Sequence, residues 1–217
     1  MSRRLVNLTL DTLEDLPRTC RRCVFWELDP AAAERACADG DPALEKEAWV
    51  SQTLLEWGSC GKLAYVDGMP AGFVMYAPPA YLPRSMAFPT SPVSADAVLL
   101  TTGHVVAPFA GGGLGRMLVQ AVARDLTKRG IKAIEAFGVA NAPEGAEPGE
   151  RGCLAPADFY LSVGFKTVRQ HPRVPRLRLE LRTALSWKSD VEYALEKLLG
   201  SMSPESLLRP ATRVMTN

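Results

Sequence analysis

The stretch Val105-Val106-Ala107-Pro108-Phe109-Ala110-Gly111-Gly112-Gly113-Leu114-Gly115-Arg116 decides the fold. It joins two periodic segments. Upstream, Ala97–Ala107 is rich in Val, Leu and Thr and reads as a strand. Downstream, Leu114, Met117, Leu118, Ala121, Val122 and Leu126 recur at helical spacing, and Gly130 closes the run. Ile131–Val139 then returns as a second strand. Strand, helix and strand with short joints make a βαβ crossover, which places both strands in one sheet.

Working outward, Lys62–Val66 and Gly72–Tyr76 are strand-like runs joined by Asp67-Gly68-Met69-Pro70, a hairpin signal. Before them, Leu5–Leu10 alternates as a short strand, and Thr12 to about Asp29 reads as a helix started or broken at Pro17. Asp41-Pro42 supplies an N-cap acid and a first-turn proline, with Leu44, Ala48, Ser51 and Leu55 following at helical spacing up to Gly58 and Gly61. Pro78–Pro92 is an irregular excursion.

Beyond the crossover, Asn141–Gly152 is a loop with three glutamates, Ala155–Val163 a short helix, and Phe165–Val168 and Leu177–Leu181 two further strands. Ser189-x-x-Glu192 is a capping box opening a helix with Val191, Ala194, Leu195 and Leu198 on one face and Gly200 at its end. Ser201–Asn217 reads as a loose tail, and no internal repeat is evident. The expected division is one domain over residues 1–183 and a C-terminal helix and tail over 184–217, packed on that domain or on a second subunit as a homodimer.

Composition fits this architecture. The 217 residues carry 25 Lys+Arg against 24 Asp+Glu, a formal charge of +1, with 47% hydrophobic and 23% charged residues. These are ordinary globular values, and they exclude an acidic disordered chain, a collagen and a coiled-coil rod. Near-neutral charge gives no reason to expect nucleic acid as a partner. The longest uncharged stretch, Ala97–Gly115, contains His104, Pro108 and five glycines, which does not suit a lipid-facing helix. Asn7 and Asp11 interrupt any signal-peptide core after Arg3 and Arg4, so a cytoplasmic protein is expected.

The five cysteines, Cys20, Cys23, Cys37, Cys60 and Cys153, are odd in number and irregular in spacing, a poor disulfide framework. Cys20-x-x-Cys23 is half of a zinc site or a redox pair by spacing, but a second pair is missing. The expectation is two small buried side chains one helical turn apart and no metal site.

The glycine run carries the chemistry. Glycines between a strand and a helix let the backbone approach a ligand, and the amides of the first helical turn have no partner within the helix. With the helix dipole they form a site for phosphate or diphosphate. Arg116-Met117 lacks the Lys-Ser/Thr of a phosphate-binding Walker loop. A dinucleotide fingerprint would open a doubly wound sheet, whereas this loop lies mid-chain after a hairpin, and no third βα unit follows.

On these residues the sequence resembles the GNAT superfamily of N-acetyltransferases, which use acetyl-coenzyme A. The family's strand end Val-x-Pro is matched by Val106-Ala107-Pro108. Its Arg/Gln-x-x-Gly-x-Gly/Ala loop is matched by Ala110-x-x-Gly113-x-Gly115, with Ala110 replacing the usual polar residue. A second element, a short helix ending Tyr-x-x-x-Gly-Phe, is matched by Tyr160-x-x-x-Gly164-Phe165. The asparagine often found seven residues before that tyrosine is Cys153. The resemblance implies an α/β (α+β) fold with a mixed, mostly antiparallel central sheet of six to seven strands flanked by helices.

It also implies an acyltransferase with acetyl-CoA as cosubstrate and an amine acceptor that attacks the thioester directly. Amides of Gly111, Gly112, Gly113, Leu114, Gly115 and Arg116 would grip the diphosphate. The backbone of Val105, Val106 and Ala107 would take the acyl-pantetheine arm and polarise its carbonyl. Tyr160 is the implied general acid. His104, on the strand before the loop, is the candidate base, since an imidazole suits proton abstraction near neutral pH, with Glu135 and Glu27 as alternatives. Trp26, Glu27, Asp29 and the acidic loop Glu144–Glu150 fall where an acceptor usually lies. Lys166–Lys188 carries seven basic residues and one acid, Glu180, read as a solvated face. The competing reading is a degenerate module that binds acyl-CoA or a protein partner without turnover.

Overall fold

The computed structural model describes residues 2–140 and 153–181. The chain divides into two compact units, Met1–Leu181 and Arg182–Asn217, and all described residues belong to the first. The acidic loop Asn141–Gly152, the helix expected from Ser189 and the boundary expected at 183/184 lie outside the described residues.

The first strand, β1 (Arg3–Asn7), leads into a helical region that is broken at Pro17, one of the two outcomes the sequence left open, and again before Pro30. α1 (Leu10–Leu13) is closed by a reciprocal cap, in which the Thr9 and Thr12 side chains each accept the other's backbone N–H. Pro17 stands at the cap position of α2 (Arg18–Arg21). Its fixed φ and missing N–H prevent a continuous helix through this point. α3 (Pro30–Ala38) and α4 (Pro42–Glu56) share one start signal, an aspartate followed by proline. Asp29 accepts the Ala32 N–H at 2.9 Å and Asp41 the Ala43 N–H at 3.0 Å. Only the second start was anticipated, because Asp29-Pro30 sits at the end of a segment read as one helix.

β2 (Gly61–Val66) and β3 (Met69–Ala77) form the expected hairpin. Asp67 and Gly68 occupy its turn with φ of 49° and 84°, the pair of positive values that a two-residue hairpin turn requires. Two 3₁₀ turns, Pro79–Tyr81 and Pro83–Ala87, carry the excursion to β4 (Ala97–Val105). Then come α5 (Leu114–Lys128), β5 (Ala133–Phe137), α6 (Ala157–Ser162), β6 (Lys166–Arg169) and β7 (Arg176–Glu180). The seven strands form one sheet in the order β1-β2-β3-β4-β5-β7-β6. Every neighbouring pair is antiparallel except β4 and β5, the parallel pair made by the crossover.

Both faces of the sheet are covered. α5 buries Leu114, Leu118, Val119, Val122, Ala123 and Leu126 against one face, with Tyr160 of α6 in the same cluster. Each fully buried aliphatic side chain of this kind contributes about 1.5–3 kcal/mol. The opposite face packs against the N-terminal helices and the excursion, through Leu13, Trp26, Trp49, Leu82 and Phe137. There Phe88 stacks on Phe137 at 4.5 Å between ring centroids, with the Trp26 ring 5.3 Å from Phe88.

Two irregularities position the site. β4 pairs with β5 only from Ala97↔Ala133 to Leu99↔Glu135, while it stays paired with β3 as far as Val105. The parallel strands therefore part beyond Leu99. A bulge falls in the β3–β4 ladder where Tyr76 pairs with Leu100 and Val74 with Gly103. Two residues of β3 thus face three of β4, which bends the strand ahead of His104.

Candidate active site

The glycine run holds the backbone in a conformation that leaves its donors unspent. Gly111 and Gly113 have φ of 76° and 78°, and a side chain at either would meet open space. Backbone strain, not crowding, is what reserves these two positions for glycine. The Ala110 N–H donates to Ala107 and the Met117 N–H to Gly113, at 3.1 Å each. Among the described residues, no backbone N–H from Gly111 to Arg116 between them donates to a backbone carbonyl. This row of free donors lies at the N-terminus of the 15-residue α5. It is an electropositive helix end suited to a phosphate group.

Arg3 adds charge to it. A Cβ placed on Gly112 would lie 3.4 Å from the Arg3 Nη2, so the guanidinium sits directly beside the run. The exposed Arg3 makes no ion pair among the described residues. Reading the first strand from Leu5 missed it. The available signal was strand alternation, which places Arg3 on the face of Leu5, the residue that packs against the α5 cluster.

α6 is locked to the same helix end. Gly115 faces the Phe159 ring, and the Arg116 Nη2 donates to the Ser162 carbonyl at 2.9 Å, capping the end of α6. The two sequence motifs are thus two sides of one contact. Tyr160, between the Phe159 and Phe165 rings, is fully buried, and its hydroxyl has no hydrogen-bond partner. Burial pushes its pKa well above the usual tyrosine value.

The strand before the loop divides its groups between two directions. The Val106 N–H donates to Ala71 at 2.9 Å, toward β3, so it is not free for a ligand. Within the expected Val105–Ala107 backbone, this leaves the other amides to face an acyl carbonyl. By strand alternation Val105 turns its N–H and C=O the other way, to the side where β5 has parted. Its side chain packs with the α5 cluster. His104 lies on the opposite face, half-buried, with its ring 6.2 Å from that of Phe73. Ala107 and Pro108 continue into a 3₁₀ turn, Ala107–Phe109.

The carboxylates proposed as alternative bases are committed elsewhere. Glu135 is fully buried, accepting from Arg176 Nη1 at 2.6 Å, Arg178 Nη1 at 3.2 Å and the Ser94 N–H at 3.2 Å. Glu27 forms a buried ion pair with Lys46 and accepts the Trp26 N–H at 3.2 Å. Asp29 caps α3. Glu27 is therefore spent within the interior, while Asp29 stays exposed at its cap. Arg176 and Arg178, from the basic stretch, are likewise used within the sheet, the latter also on Asp96 and Glu180. Of the cysteine pair, Cys20 is buried as expected, but Cys23 meets Cys153. No group of three or more His, Cys, Asp or Glu among the described residues is arranged to hold a metal ion.

No family model matches the sequence, and no curated protein matches it. Solved structures do. The PaiA N-acetyltransferase of Thermoplasma acidophilum, in complex with coenzyme A, matches with a TM-score of 0.53 and 14% identity, covering 83% of this chain and 99% of that one. The loading GNATL domain of CurA from Lyngbya majuscula matches with a TM-score of 0.52 and 11% identity, covering 84% of this chain and all of that domain, at 100%. The chain has the GNAT fold. An N-acetyltransferase from Staphylococcus aureus Mu50 matches with a TM-score of 0.50 and 12% identity, over 83% of this chain and 99% of that one. The expected GNAT sheet, mixed and mostly antiparallel with flanking helices, is the one observed.

Proposed function

We propose that this GNAT-fold chain is an acyltransferase that moves the acetyl group of acetyl-CoA to a primary amine by direct attack in a ternary complex. The observation that carries the reading is the row of unspent N–H donors from Gly111 to Arg116 beside the Arg3 guanidinium. Three further features fit the same ligand: the parting of β4 from β5, the Val105 amide turned toward it, and the orphaned Tyr160 hydroxyl.

Acetyl-CoA supplies the activated thioester. The chain's residues do the rest. The Gly111–Arg116 amides and Arg3 hold the diphosphate. The Val105 N–H, fixed on a sheet strand, polarises an acyl carbonyl lying in the parting. Tyr160, kept protonated by burial, holds a proton for a departing thiolate. His104, on the opposite face of the sheet, takes the proton of the amine. Acid and base thus approach the reacting carbon from the two faces. No helix among the described residues is long and apolar enough to cross a membrane.

The full burial of Tyr160 favours one second reading, a module that binds acyl-CoA without turnover. Acetyl-CoA-dependent acetylation of an amine panel separates the two. Acetylated product with the wild type, and its loss in Tyr160→Phe with acetyl-CoA affinity kept, supports the enzyme. Binding heat without product on any amine supports the module.

A further inference from the structure

Cys23 and Cys153 are 130 positions apart in sequence, yet their Sγ atoms lie 3.1 Å from each other. Both backbones are tied down. The Cys23 carbonyl accepts from Lys46 Nζ at 2.9 Å, and the Cys153 carbonyl from Trp26 Nε1 at 3.4 Å. Lys46 and Trp26 are themselves almost wholly buried. Both residues are half-buried. The remaining cysteines lack this arrangement. Cys20 and Cys60 are buried and their thiols are pushed up by desolvation, Cys60 to about 12, while Cys37 is exposed on α3.

We propose that Cys23 and Cys153 form a redox modification site, a dithiol that hydrogen peroxide converts into an intramolecular disulfide. The inference rests on the position of the two sulfurs and not on the acyltransferase reading. The pair is also chemically unequal. The Cys23 thiol is lowered to about 7, chiefly because the Cys153 S–H donates to it, with the Lys46 charge adding to the effect. Cys153 is correspondingly pushed up and keeps its proton.

Cys23 is therefore the nucleophile and Cys153 the resolving thiol. The Cys23 thiolate attacks one peroxide oxygen, and with one proton taken up the products are a sulfenic acid and water. The Cys153 sulfur then attacks the sulfenic sulfur, the S–O bond breaks, and a second water leaves. Two thiols and one peroxide give one disulfide and two waters, so two electrons pass from sulfur to oxygen. The bond ties the segment between α2 and α3 to the chain that leads into α6, the helix carrying Tyr160.

The test is a short hydrogen peroxide pulse on the reduced full-length chain, quenched with an alkylating reagent, followed by intact mass and a non-reducing peptide map. The expected result is loss of two of the five thiols, a Cys23–Cys153 linked peptide, and a Tm raised by about 10 °C that dithiothreitol reverses. Cys37→Ser should behave as the wild type, and Cys23→Ser should give no linked peptide. Three results would overturn the proposal: Cys23 accumulating as sulfinic acid without a crosslink, crosslinks through Cys20 or Cys37 instead, or one zinc per reduced chain by elemental analysis.

Discussion

Gly115 and Phe159 are in contact across the two motifs: a Cβ at Gly115 would stand 3.0 Å from the Phe159 Cε2. The glycine at this position lets α6 approach the first turn of α5. Alanine is worth up to about 1 kcal/mol more than glycine inside a helix, which offsets a small shift of the ring. Gly115→Ala should therefore change Tm little. Gly115→Val cannot be accommodated so and should lower both Tm and coenzyme affinity, as read by thermal melts and calorimetry. A valine variant with wild-type values would dismiss the contact.

Tyr160→Phe separates catalysis from stability. The hydroxyl is buried and unpartnered, and such a group costs roughly 1–3 kcal/mol. Removing it should leave the urea midpoint unchanged or raise it. The same change should lower kcat by about 10²-fold or more if the hydroxyl is the acid. A destabilised variant with an unchanged kcat would reverse both statements.

Arg3→Ala removes the cation beside Gly112. A charge-assisted hydrogen bond contributes about 1.5–3 kcal/mol, so coenzyme A should bind roughly ten-fold or more weakly. The loss should shrink as salt is added, because the residue is exposed. An affinity independent of Arg3 at low ionic strength would contradict this placement.

The Glu135 network is structural. Glu135→Gln would leave Arg176 and Arg178 facing a neutral group in the interior, and breaking a buried pair of this kind costs about 3–5 kcal/mol. Chemical denaturation should show that loss in full, whereas a catalytic base would show it in kcat with stability intact.

Asp96 gives the same network a pH dependence. The Arg178 guanidinium holds its carboxyl below the usual carboxylate range. A folded pKa below the unfolded one means that stability is present above the unfolded value, near about 4, and fades as pH falls through the folded value. Asp96→Asn should therefore lie below the wild type in urea midpoint at pH 6 and converge with it only once the pH has fallen below the usual carboxylate range. Parallel curves would show that the ion pair does not couple to folding.

Much of this was legible because the signals are local. The Gly run, the apolar stripe of α5 and the Asp67-Gly68 turn each specify a backbone state from neighbouring residues alone. α3 was missed where two local signals conflicted, since Asp29-Pro30 starts a helix inside what read as the end of another. The partners of the site's long-range pairings had no local trace, although alternation fixes the face on which Arg3 lies. Arg3 reaches Gly112, Cys23 meets Cys153, and Glu135 joins Arg176 and Arg178 only because the sheet order brings them together. An alternating strand with an acid on it reads the same whether that acid awaits a substrate or is already paired.

Isothermal titration of coenzyme A into the folded chain probes the foundation of the proposed acyl transfer, which depends on the Gly111–Arg116 amides holding a diphosphate. One site per chain is expected, weakened in Arg3→Ala and unaffected in Cys37→Ser. No heat with coenzyme A or acetyl-CoA at millimolar concentration, from protein with a cooperative melt, would contradict it.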